Sequence, residues 1–366
     1  MSSSVLNLDA IHGQITVKNS ISKAFQTGRL AHAYLFLGPE GAGKLALALE
    51  YGKALLCKTE GAKPCRNCVS CKQAREVGHP SLALVFPKPK TAKRTDIDLV
   101  RASIAEQPYL MRRPWPNPSI SISEIRELRR QLGLKSYQGE SRIIIVADAH
   151  KMTVEATNAL LKILEEPPAN TYFVLTSSSP EELLPTILSR CQHLNFGVLQ
   201  TEAIEKIIQS APEIDSERAK LIARLACGNI RRAFSLLDEK QFALRQDAVE
   251  LMRAAFMAPA KYAVFCTQLA QKRDKTLVRE ILQNALIWTR DAMTASAVGP
   301  EKSQEMIVNI DQTETIEKFV QGFPKFDYKQ AVHQLELSMY MLQRYVQPAL
   351  VLLVLVKKIR QCAKQS

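Results

Sequence analysis

Gly38, Gly43 and Lys44, in the stretch FLGPEGAGKLALALEYGKALLC (Phe36 to Cys57), fit the phosphate-loop pattern G-x-x-x-x-G-K. Glycines there, Gly41 among them, let backbone N–H groups converge on a phosphate, and the following helix N-terminus adds its positive dipole. Lys44 would neutralise the β and γ phosphates. The next residue should carry a hydroxyl for magnesium, yet it is Leu45. A second departure lies in IIIVAD. A strand of this type should end in a metal-binding Asp followed by a water-activating Glu, and here Ala147 and the one-methylene-shorter Asp148 stand in those places. Phosphoryl transfer relies on its metal for charge stabilisation. The chain is therefore expected not to hydrolyse nucleotide and not to bind Mg2+, and whether ATP or ADP still binds is left open. The plainer alternatives are a Gly-rich turn with a surface lysine, and an Asp148 that merely caps the next helix.

A second constellation is Cys57, Cys65, Cys68 and Cys71, spaced C-x7-C-x2-C-x2-C. Two x2 gaps bring neighbouring thiolates to one tetrahedral ion, and the longer loop delivers the fourth. A structural Zn2+ is expected; free or redox thiols are the alternative. Cys191, Cys227, Cys266 and Cys362 are scattered and read as ordinary thiols. A third signal is Ser189-Arg190-Cys191, at the end of an expected helix in LLPTILSRCQHLNF. The planar fork of Arg matches phosphate oxygens. Presented to a neighbouring subunit's nucleotide, Arg190 would act as a trans finger; taken alone it reads as a surface salt-bridge residue.

These groups need a scaffold. AHAYLFLG reads as a buried strand entering the phosphate loop, and KLALALEYGKALLC as the helix that leaves it. Further strands are expected at SLALVFP, Ile143 to Ala147 and TYFVLTSSS. Helices are expected over residues 14–28, over SEIRELRRQLGL with Ser123 as N-cap, and over TVEATNALLKILEEPP, stopped by Pro167 and Pro168. Strands alternating with helices argue a parallel sheet covered on both faces. Beyond about residue 200 the strands vanish. The expected organisation is an α/β domain over 1–200, carrying a cysteine module at 57–71 and a basic, Pro-rich insertion at 87–118 with a short helix near Leu99 to Ala105. A small three-helix domain over 201–240 and an all-α domain over 241–366 follow.

The chain has 366 residues, 46% of them apolar and 23% charged, enough for two or three packed domains. Fourteen Gly and eighteen Pro exclude a low-complexity chain. MSSSVLNLDAIHGQ lacks the basic start and apolar stretch of a secretory signal. The longest apolar run, Ala349 to Val356, is far short of the roughly 20 residues that span a bilayer, so it reads as a buried helix and no membrane contact is expected. A cytoplasmic location follows as an expectation, and with it reduced cysteines. The formal charge of +13 suits a polyanionic partner without naming one. Part of the excess is local: Lys88, Lys90, Lys93, Arg94, Arg101, Arg112 and Arg113 stand against Asp96, Asp98 and Glu106. This stretch reads as a solvated insertion or as a nucleic-acid contact.

Taken in order, GRLAHAYLFLGPEGAGK, the cysteine cluster, TNALLKILEEPPANTYFVLTSSSPEELLPTILSRCQ and GNIRRAFSLLD resemble the bacterial clamp-loader ATPase family of the AAA+ class, over roughly residues 10–240. The resemblance implies an AAA+ P-loop domain, a helical lid and a helical collar. It implies that Arg190 is the finger, Arg231 in GNIRRA the sensor arginine, Ser177 or Ser178 a sensor polar residue, and the four cysteines zinc ligands. A motor member needs Ser or Thr at 45 and Asp-Glu at 147 and 148, so Leu45, Ala147 and Asp148 point to the family's non-hydrolysing member. The implied partners are gamma/tau and delta subunits in a hetero-pentamer, the sliding clamp and primer–template DNA. An active gamma/tau-type motor is the alternative within the family. A zinc-bearing DNA-binding module that works alone is the alternative outside it.

Overall fold

A computed structural model describes residues 5–363 except 113, 116, 134–140, 210–213, 300, 301, 304 and 305. The chain divides into two compact units, Met1–Ala211 with Gly228–Arg232, and Pro212–Cys227 with Ala233–Ser366.

The first unit runs β1 (Val5–Leu6), α1 (Ile15–Gln26), β2 (Ala33–Leu37), α2 (Lys44–Leu56), β3 (Ala62–Lys63), α3 (Val69–Arg75), β4 (Leu82–Val85), α4 (Arg94–Glu106), α5 (Ile122–Gly133), β5 (Arg142–Val146), α6 (Val154–Glu165), β6 (Thr171–Ser177), α7 (Pro185–Leu188), β7 (Gln192–Asn195) and α8 (Thr201–Gln209). Five strands form one parallel sheet in the order β4-β5-β6-β2-β7. Alternate residues of β2, β4, β5 and β6 enter separate cores. Ile143 and Ile145 pack with Tyr34, Phe36 and the Leu47 side of α2, whereas Ile144 and Val146 pack with Leu35, Phe173, Leu175 and the inner faces of α5 and α6. Burial on both faces is why these strands read as continuous apolar runs rather than alternating ones. The expected fold class, a parallel α/β P-loop domain followed by helical structure, is the one observed.

The C-terminal ends of β2, β5 and β6 carry, respectively, the phosphate loop, Ala147–Asp148 and Ser177–Ser178. That edge of an open α/β sheet, beside the strand where the order reverses, is where such folds place their ligands.

Three local expectations are corrected. Helix α5 starts at Ile122, so Ser123 lies inside its first turn instead of capping it; its hydroxyl sits 2.6 Å from that of Ser121. Helix α4 is longer than Leu99 to Ala105, because Ile97, Val100 and Ile104 share one inward face. Strand β7 was not foreseen. It is an edge strand whose Gln192, His193 and Asn195 are exposed and only Leu194 is buried, so it lacks an apolar signature.

Helix α10 (Ile230–Ser235) joins the second stretch of the first unit to the second unit, which also holds α9 (Ser216–Leu225), α11 (Glu239–Ala254), α12 (Pro259–Lys272), α13 (Lys275–Val298), α14 (Thr313–Gly322), α15 (Tyr328–Gln343) and α16 (Pro348–Cys362). Asp215, Asp238, Asp274 and Asp327 cap α9, α11, α13 and α15 through carboxylates that accept backbone N–H bonds. The apolar run Ala349 to Val356 is a core helix as expected, with Val351, Leu352, Leu355 and Val356 buried. Among the described residues no helix is long and apolar enough to cross a membrane.

Candidate functional site

The phosphate loop forms the strand–turn–helix that its sequence requires, with Lys44 as the first residue of α2 and only 7% exposed. Its ammonium is already engaged. Nζ donates to the carbonyls of Gly38 and Pro39, each at 2.6 Å. Gly41 adopts φ +75°, and a Cβ on it would lie 1.9 Å from Oδ1 of Asn229. The backbone around Asn229 docks here: the Ile230 N–H donates to the Gly41 carbonyl at 3.2 Å, and Oδ1 of Asn229 accepts from the Arg231 and Arg232 N–H groups. Glycine at 41 is thus demanded by an internal contact, whatever phosphate does.

Arg231 reaches the same loop and pairs with Glu40. Burial pulls its guanidinium below the usual arginine value, and its Nε is buried without a hydrogen-bond partner. Leu45, Ala147, Asp148, Thr176 and Ser178 line the small cavity beside Lys44. Of the two serine candidates, Ser178 faces that cavity, whereas Ser177 is fully buried and its hydroxyl sits 3.2 Å from Nδ1 of His150. The Asp148 N–H donates to the Thr176 hydroxyl at 3.0 Å, which ties β5 to β6 at this edge. Gly38, Gly41, Gly43, Lys44 and Arg231 are therefore brought together. Side chains able to grip a magnesium ion at positions 45 and 147 are absent, since Leu and Ala offer no oxygen.

Arg190 lies elsewhere, two residues past α7. Its Nη2 pairs with Glu165 of α6 at 2.7 Å and its Nη1 donates to the Thr186 carbonyl at 3.1 Å; the arginine side chain is 34% exposed and the glutamate 47%. Sequence reasoning missed Glu165 and also Glu40 and Asn229. Each is an ordinary polar residue in the sequence, and its role depends on a contact that no spacing reveals.

The sulfur atoms of Cys57, Cys65, Cys68 and Cys71 all lie within 4.8 Å of one another, a group that could hold a metal ion. The Cys65 and Cys71 sulfurs are 3.9 Å apart. A tetrahedral ion with 2.3 Å sulfur bonds needs edges of about 3.8 Å, so the cage fits. Backbone N–H groups of Cys65, Cys68 and Cys71 donate to the sulfurs of Cys57, Cys65 and Cys68 in turn. The Thr59 hydroxyl, with the N–H groups of Cys68 and Asn67, draws the Cys65 thiol down to about 5, while burial pushes Cys71 up. Donated bonds of this kind favour thiolates, the form a metal takes. Behind the cage, Ser70 donates to the Leu56 carbonyl at 2.7 Å and sits 2.9 Å from Nε2 of His79, pinning α3 to the end of α2.

In the basic insertion, Lys90, Lys93, Arg94, Arg101 and Arg112 are exposed, and Lys88 pairs with Glu124; Arg113 lies outside the described residues.

Residues 13–200 match the family model described as DNA polymerase III, delta subunit. The chain is 35% identical over 226 residues to DNA polymerase III subunit delta' of Bacillus subtilis, covering 62% of this chain and 58% of that protein. It is 33% identical over 233 residues to subunit gamma/tau of Mycobacterium bovis, covering 62% of this chain and 36% of that one. It therefore spans less than two thirds of the length of either relative. Among solved structures, a DNA polymerase III gamma subunit-related protein from Thermotoga maritima covers 94% of this chain and 98% of its own, at 16% identity and a TM-score of 0.42. The chain belongs to the DNA polymerase III delta-subunit family that the matching model describes.

Proposed function

We propose that this clamp-loader subunit hydrolyses no nucleotide itself and supplies Arg190 in trans to the ATP of a neighbouring gamma/tau-type motor. Its partners in this reading are gamma/tau and delta subunits in a hetero-pentamer, which loads the sliding clamp on primer–template DNA in the cytoplasm. The observation that carries the reading is a contrast in one domain. Leu45 and Ala147 remove two magnesium contacts, while Arg190 stays at the surface on a partly exposed ion pair. Exposed ion pairs are worth little, about 0–1 kcal/mol, so Arg190 can leave Glu165 for a triphosphate at small cost. A guanidinium delivered to the transferring phosphoryl group neutralises charge that develops on its oxygens.

Within the same reading the four cysteines hold one structural Zn2+. Such an ion, when bound, cross-links Cys57 at the end of α2 to the turn before α3 and leaves no open coordination position for chemistry. The exposed lysines and arginines of the insertion fit contact with the DNA backbone, which would show as salt-dependent binding by the assembled complex.

The test is reconstitution with motor and delta subunits, followed by ATPase and clamp-loading assays. Arg190→Ala should assemble normally and depress DNA-stimulated turnover. An active gamma/tau-type motor is the second reading, favoured by the 33% identity to gamma/tau. It predicts Mg2+-dependent turnover by the chain alone that Lys44→Ala abolishes, and that result would replace the first reading.

A further inference from the structure

The insertion does more than carry charge on its outside. After α4 the chain turns back, with the Leu110 N–H donating to the Gln107 carbonyl at 2.9 Å and the Arg112 N–H to the Ser103 hydroxyl at 3.2 Å. This turn aims Tyr109 at the phosphate loop. The ring lies 3.0 Å from where a Cβ on Gly43 would stand. The phenol oxygen accepts from the His12 N–H at 2.9 Å, in the segment just before α1. Two residues on, Met111 is 7% exposed and lines the cavity beside Lys44.

Pro108 and Tyr109 are common walls of two cavities. One, about 50 Å3, holds the phosphate-loop residues, Asp148, Ser178 and Arg231. The other, about 270 Å3, runs along α2 past Ala46 and Glu50 to His12 and Ile207. Ala46 lines both as well. A nucleotide on a phosphate loop needs one continuous groove, with phosphates at the helix N-terminus and the base beyond. Ligand pockets run to roughly 300–1,000 Å3, and the phosphate-side remnant falls well short of that range.

We propose that residues Pro108 to Met111 are a built-in plug. They divide the groove, fill its middle with the Tyr109 ring and exclude adenine nucleotides from this subunit. The proposal rests on the non-hydrolysing reading and deepens it: the site is shut as well as stripped of metal ligands. Its cationic groups are already engaged from within, Lys44 by loop carbonyls and Arg231 by Glu40. The Tyr109 phenol stays protonated, since burial raises it to about 12, and its oxygen keeps accepting from His12.

The experiment is titration of the full-length chain with fluorescent methylanthraniloyl-ADP and -ATP, with and without Mg2+, alongside circular dichroism and thermal melting. Wild type should bind more weakly than about 1 mM, and Tyr109→Ala at least about tenfold more tightly. Tyr109→Ser is a second ring-less variant, guarding against one that fails to fold. Tyr109→Phe keeps the ring, so it should exclude nucleotide like wild type while its His12 amide exchanges hydrogen faster. Micromolar binding by wild type overturns the plug. So do folded ring-less variants that gain nothing, or a Tyr109→Phe variant that binds as well as Tyr109→Ala. Wild type that binds without turnover overturns the plug and leaves the non-hydrolysing reading standing; turnover removes both.

Discussion

Two corners of the same α/β unit carry cations shaped for a triphosphate, and they are wired in opposite ways. At the phosphate loop, Lys44 is almost fully buried on two carbonyls of its own loop, and Arg231 is tied to Glu40 with its Nε orphaned. Beyond α7, Arg190 holds one partly exposed carboxylate and one backbone carbonyl. The first pair is committed to the protein and would have to break these internal bonds to serve a ligand. The second sits where water already competes for it, so exchange of partners is cheap. A motif can thus persist as architecture, and in the proposed function the cation that works lies at another edge.

The largest effect expected is at that edge. In the reconstituted complex, Arg190→Ala should slow hydrolysis at the neighbouring site by roughly 10³–10⁵-fold, read by single-turnover ATPase. An unchanged rate would erase the contrast between the corners. Next is the cysteine cage, which joins the end of α2 to the start of α3. Metal analysis should find one zinc per chain, and Cys68→Ser should lose it and destabilise the fold on the order of 4 kcal/mol by denaturant unfolding; a stable metal-free wild type would refute the site. Third, Lys44→Ala should cost about 1.5–3 kcal/mol of stability through two lost charge-assisted hydrogen bonds, while ATPase of the assembly changes less than about twofold. A large catalytic loss would show that the loop still serves nucleotide. The smallest effect sharpens the comparison most. Glu165→Gln should shift stability by less than about 1 kcal/mol and, in the proposed role of Arg190, leave assembly ATPase at or above wild type, because it only frees that side chain.

Much of this was legible beforehand. The phosphate loop, the four cysteines and the strands at Ala33–Leu37 and Arg142–Val146 stand out because their signals are local: glycine spacing, thiol spacing and apolar runs. Strand β7 was not, since only Leu194 of its four residues turns inward. Nor was the start of α5, since Ser123 has the chemistry of a cap yet the helix begins one residue earlier, at Ile122. Tyr109 was the deepest omission. It lies among prolines and basic residues that read as solvent-facing, with no periodicity to mark one ring for the interior.

The order of residues alone settled which chemistry was possible: thiolates spaced for a tetrahedral ion, a cradle for phosphate, and no oxygen at 45 or 147 to hold its metal. It did so because those properties depend on residue type and short-range spacing. Folding decided which groups are spoken for. Glu40 meets Arg231, Asn229 meets Gly41, Glu165 meets Arg190 and Tyr109 meets His12 only once the sheet has stacked its strands out of sequence order, β4-β5-β6-β2-β7. Such pairings join positions far apart in the chain, and burial then sets their strength, so no local pattern could have announced them.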